Sequence, residues 1–119
     1  MTSGDSVGTR LLAALGLAWG AALLARPGPV VAALAPEFPA DRRWLVRLLG
    51  ARQAAQYAVL LLAPSPALVR VASAVELVHA ASMVPALRLP RYRRAAWISG
   101  VVAAASAVAL PAVGSRRRD

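Results

Sequence analysis

Four apolar stretches run along the chain, at about residues 11–26, 44–63, 67–87 and 95–113, separated by clusters of arginine and proline. The third reads ALVRVASAVELVHAASMVPAL, from Ala67 to Leu87. It meets the length of about 20 apolar residues that a helix needs to cross a bilayer. Glu76 and His79 lie near its middle. Ionisable groups at that depth are costly and face a bundle interior, a cavity or a partner.

The first stretch, Leu11 to Ala25, follows a small polar segment, Met1 to Thr9, read as a frayed terminus. Fifteen residues give a helix of about 22 Å, short for a hydrocarbon core of roughly 30 Å. Arg10 and Arg26 at its ends extend it by snorkelling. A cleaved signal peptide is the rival reading. Its best small-residue site, Ala33-Leu34-Ala35, is followed by Pro36, which disfavours cleavage. Residues 27–43 predict a short helix or re-entrant segment at the membrane interface, with Phe38 at headgroup level and Asp41 as N-cap of the next helix.

The second stretch, Trp44 to Ala63, carries Arg47, Arg52, Gln53, Gln56 and Tyr57. Arg52, Gln53 and Gln56 share one face, opposite a face of Leu and Val. The turn Pro64-Ser65-Pro66 predicts that this span and the third are antiparallel neighbours. Glu76 then lies level with Arg52. The expected cluster is a buried Arg52–Glu76 pair, with Gln53, Gln56 and His79 completing its hydrogen bonds, because a buried charge is tolerated when paired and bonded. Arginine offers the carboxylate a bidentate fork. In the fourth stretch, Gly100 and Ala104 form a small-xxx-small pair suited to close helix packing.

Together these predict an all-α fold: an integral membrane four-helix bundle with short loops, in one unit over residues 1–119. Composition agrees. Hydrophobic residues make up 59% and charged residues 16%, against about 45–50% and 25% in a soluble domain. The net charge is +9, and every basic residue is arginine. In a soluble protein such charge points to nucleic acid. Here the arginines flank apolar runs, so the expected partner is a bilayer with anionic lipids. Arg88, Arg91, Arg93 and Arg94 are the expected headgroup contacts. Loop arginines also favour cytoplasmic loops with both termini outside, against the triple-arginine tail Arg116–Arg118. Arginine, Ala, Val and Pro richness suggests a bacterial inner membrane.

Most site chemistry is excluded. Without cysteine there is no thiol catalysis, thiolate metal site or disulfide. The Glu76-x-x-His79 spacing matches half of a di-metal carboxylate motif, but the further glutamates are missing. Haem on His79 needs a second ligand, such as Met83 or His79 of another copy. Neither a metal nor a cofactor is expected. No nucleophile elbow or phosphate-cradling glycine loop is present, and no catalytic residue is assigned.

With Leu49-Gly50-x-Arg52 in one span and Glu76-x-x-His79 in the next, the chain resembles small bacterial four-span membrane proteins of the DoxX-like kind. The likeness lies in size, span number and the Gly-x-Arg, and covers about residues 44–110. It implies a membrane protein, in some members a subunit of an oxidoreductase complex. The absence of cysteine keeps thiol-based roles from carrying over. The expected function is therefore an accessory or scaffold subunit of a homo-oligomer or larger membrane complex. The alternative is a small transporter or proton-relay subunit using the Arg52, Glu76 and His79 cluster.

Overall fold

The computed structural model describes residues 3–115, with side chains over 7–113; the Arg116–Arg118 tail lies outside the described residues. Five α-helices follow one another: α1 Ser3–Ala25, α2 Pro27–Leu34, α3 Arg43–Leu62, α4 Pro66–Met83 and α5 Arg93–Ser115. Two 3-10 turns, Ala40–Arg42 and Pro85–Arg88, precede α3 and follow α4. There is no strand among the described residues.

Prolines set the element boundaries. Pro27 and Pro66 open α2 and α4 in the first turn, where a missing N–H costs nothing. Ser65 caps α4, its Oγ accepting a hydrogen bond from the Leu68 N–H at 3.2 Å. Asp41 does not cap α3. It sits inside the 3-10 turn, and α3 starts without a side-chain cap. The α1 helix also begins earlier than its apolar run. Val7–Thr9 is helical rather than frayed; Thr9 is fully buried, and Val113 of α5 packs directly on Gly8.

The helices associate as two antiparallel pairs. The closer pair is α1 with α3, at Gly16, Gly20 and Gly50. A Cβ on Gly50 would stand 2.6 Å from the Leu24 nitrogen and 2.7 Å from the Gly20 oxygen. A Cβ on Gly20 would meet the Ala54 nitrogen at 2.6 Å, and one on Gly16 would enter the Tyr57 ring. Only glycine permits this approach. The second pair is α4 with α5. The small residues Gly100 and Ala104 do not create it. Gly100 makes ordinary contact with Met83, where a Cβ would lie 3.5 Å from the Met83 Cβ, and Ala104 is exposed. The α3 and α4 helices are consecutive but share only a sparse backbone interface and meet through long side chains.

One core unites the pairs: Ala13, Tyr57, Leu60, Val69, Ala72 and Leu110. A smaller one lies at the loop end, where Val31, Ala35 and Phe38 pack with Val46, Tyr92 and Ala95. Phe38 is thus buried within the protein. Its ring meets Tyr92 edge-on, centroids 5.3 Å apart at 81°. This contact ties the 27–43 connection to the loop before α5.

Three segments, Val7–Ala25, Pro66–Arg88 and Arg93–Val113, are long and apolar enough to cross a membrane. They mark a membrane protein. The α3 helix is long enough, but Arg43, Arg47, Arg52, Gln53 and Gln56 lower its hydropathy. The molecule measures 46 × 26 × 18 Å, and its long axis is close to the roughly 40–45 Å of a bilayer with headgroups.

Candidate functional site: a polar bridge between helix pairs

Two helical turns of α3 face one turn of α4 across the gap between the pairs. Gln56 Nε2 donates to Glu76 Oε1 at 2.9 Å. Arg52 Nη1 donates to the same oxygen at 3.4 Å and to Gln56 Oε1 at 3.0 Å. Arg52 Nη2 donates to Gln53 Oε1 at 3.3 Å. Glu76 is 1% exposed, whereas 32% of the Arg52 side chain remains accessible. The guanidinium thus divides itself among three side chains instead of gripping the carboxylate in a bidentate fork.

His79 does not join this cluster. Its Nε2 lies 2.6 Å from Ser99 Oγ on α5. Three residues along a helix turn the side chain by about 60° from the starting face. That rotation carries Glu76 toward α3 and His79 toward α5. Ser73 Oγ donates to the Ala107 carbonyl at 2.6 Å, a second polar link between α4 and α5. Arg52, Gln53, Gln56 and Glu76 are brought together, and His79 belongs to the other seam.

A cavity of about 150 Å³ that no motif in the chain marks lies between α1, α3 and α5. Trp19, Gln53, Tyr57 and Ser106 line its polar side, and Leu12 and Leu110 its apolar side. The Tyr57 hydroxyl is buried beside Ser106 and Gln56 without a well-formed hydrogen bond to either. Ser106 Oγ instead donates to the Val102 carbonyl at 2.8 Å. The available signal was a Tyr one turn beyond Gln53 and a Ser within an alanine-rich helix.

The end of the molecule holding α2 and both 3-10 turns collects Arg26, Arg42, Arg43, Arg47, Arg88, Arg91, Arg93 and Arg94. Arg93 Nε donates to the Leu87 carbonyl at 2.8 Å. Among the described residues, the only ion pair in the molecule is Arg52–Glu76. Trp44 and Trp97 are 53% and 62% exposed near this end, as interfacial aromatics are. No three of His, Cys, Asp and Glu converge as metal ligands among the described residues.

Comparison with models of protein families, with curated proteins and with solved structures finds no match. The functional reading rests on geometry.

Proposed function

We propose that the chain is a four-span protein of a bacterial inner membrane. In this reading it serves as an accessory or scaffold subunit of a membrane complex or homo-oligomer. The observation that carries this reading is where the side chains point. The mid-helix polar groups of α3, Arg52, Gln53 and Gln56, gather around the buried Glu76, while every long helix presents large apolar residues outward. These include Leu11 and Leu15 on α1, Leu48, Val59 and Leu62 on α3, Val71 and Val78 on α4, and Val101 and Val108 on α5. That pattern suits hydrocarbon on all sides and supports α3 as a fourth span despite its arginines. Little of the chain is left outside for chemistry, and the charged pair and His79 within are occupied in linking helices.

The DoxX-like resemblance belongs to the same proposal and agrees with a subunit role. The relay alternative has less support, since Glu76 and His79 bond in different seams.

The test is purification of the tagged full chain from its native membrane in mild detergent, followed by mass spectrometry. A stoichiometric membrane-protein partner, or a defined homo-oligomer, is the expected result. A chain recovered only as a monomer that dissipates a proton gradient in vesicles overturns the scaffold reading in favour of the relay. Release of the chain by alkaline carbonate overturns membrane integration itself.

A further inference from the structure

Three of the eight arginines at the loop end converge on one place. Arg26, Arg43 and Arg47 line an open cleft of about 600 Å³ where α1 ends and α2 and α3 begin, with Trp44 in its wall. This volume falls within the range of about 300–1,000 Å³ seen for small-molecule sites. Among the described residues, none of the three forms an ion pair. The carboxylates nearest in sequence, Glu37 and Asp41, are exposed and do not line the cleft. Like charges gathered in one concavity repel unless an anion completes the set.

The backbone adds to the field. The α2 and α3 helices both begin at this corner, and each helix start carries about half a positive charge. The carbonyl end of α1, at Ala25, opposes them, one helix end against two. Gly28 supplies the only N–H of the Pro27-Gly28-Pro29 run. Apolar surface then leads away from the cleft along the helices: Trp44, Leu48 one turn further on α3, and Leu24 on α1, all exposed. A free anion has no use for such a strip; acyl chains do.

Resting on the membrane reading, we infer that this cleft is a specific site for an anionic phospholipid bearing two phosphates, of the bisphosphatidylglycerol kind. The guanidiniums grip the phosphate oxygens in bidentate fashion, as arginine does. The acyl chains lie along Trp44, Leu48 and Leu24. Basic pockets between membrane helices bind such headgroups. Two phosphates match three guanidiniums and the breadth of the cleft better than one.

The experiment uses the delipidated full chain in mild detergent, with bound lipid counted by native mass spectrometry. Bisphosphatidylglycerol and phosphatidylglycerol are offered together at equal phosphate. Wild type is expected to retain one bisphosphatidylglycerol in preference. The R43Q/R47Q variant is expected to bind it about tenfold or more weakly. The R42Q/R70Q variant removes the same charge from exposed positions outside the cleft and is expected to bind as wild type does. Equal losses in both variants, or none in either, overturn the site. Displacement of the lipid by millimolar pyrophosphate shows a free-anion site and overturns the lipid assignment. Loss of the membrane reading is seen separately, as carbonate release of the wild-type chain.

Discussion

Gln56 Nε2 lies 2.9 Å from Glu76 Oε1, while the Arg52 guanidinium stands 3.4 Å from the same oxygen. The neutral amide therefore makes the tighter bond to the buried carboxylate, and the charged partner remains one-third exposed. Arg52 supplies the charge balance and Gln56 the geometry.

Glu76→Leu removes the acceptor for both groups at once. The expected loss is about 1–3 kcal/mol, read as a lower thermal midpoint in detergent. It falls below the cost of breaking a fully enclosed pair because Arg52 retains access to solvent. Glu76→Gln keeps an acceptor oxygen and loses less. An unchanged midpoint for Glu76→Leu removes the bridge from any account of stability.

The two seams should respond independently. His79→Ala and Ser99→Ala disrupt one bond between α4 and α5, so in a double-mutant cycle they couple to each other. Neither should couple to Gln56→Ala beyond about 0.5 kcal/mol, the scatter for sites that share no partner. A strong His79–Gln56 coupling revives a single Arg52–Glu76–His79 network.

Gly50→Ala is expected to cost at least about 1–3 kcal/mol, since its methyl group meets backbone atoms of α1 that cannot rotate aside. Gly100→Ala should be neutral or gain up to about 1 kcal/mol, because its methyl group finds ordinary contact distance from Met83 and helix propensity improves. Thermal unfolding of the two variants side by side decides the matter. Equal effects contradict the α1–α3 contact as the close one.

Tyr57→Phe deletes a buried hydroxyl that lacks a good partner. Stability should change by less than about 1 kcal/mol, possible gain included, whereas Tyr57→Ala should cost about 3–5 kcal/mol by opening a void in the main core. A large loss for Tyr57→Phe means the hydroxyl is bonded.

The absence of cysteine makes topology directly measurable. Single cysteines at Ala40 and Leu89 should label from one face of the membrane, and one at Ser65 from the other. The positive-inside rule places Ala40 and Leu89 in the cytoplasm. Labelling of Ala40 and Ser65 from one side, with Leu89 on the other, excludes α3 as a span.

Much of this architecture was legible in the chain. Prolines punctuate it, apolar runs give the long helices, and the turn at Pro64-Ser65-Pro66 places Arg52 and Gln56 opposite Glu76. What escaped the sequence depends on contacts between distant residues. The burial of Phe38 depends on Tyr92, far along the chain, whose ring packs against it. The Gly16-x-x-x-Gly20 spacing was present, but small residues four apart recur throughout alanine-rich helices, so Gly100 and Ala104 carried the same signal. Only the approach of Gly50 distinguishes them. Glu76-x-x-His79 reads as one face, yet His79 meets α5, because a three-residue spacing narrows the face without choosing a neighbour.

If α3 spans the membrane as proposed, the polar bridge also imposes an order on biogenesis. During synthesis α3 emerges before α4, so Arg52 reaches the membrane ahead of its only carboxylate partner. An arginine at the centre of an inserting helix disfavours insertion by about 2.5–3.5 kcal/mol. Gln53 and Gln56 on the same helix and the glycine face of α1 can hold α3 only provisionally. A chain truncated before Glu76 should leave a single cysteine at Ser65 labelled from the same face as one at Ala40, and the full-length chain should label it from the other face. On the proposed four-span reading, the second half of the protein would serve as an insertion factor for the first, within one polypeptide.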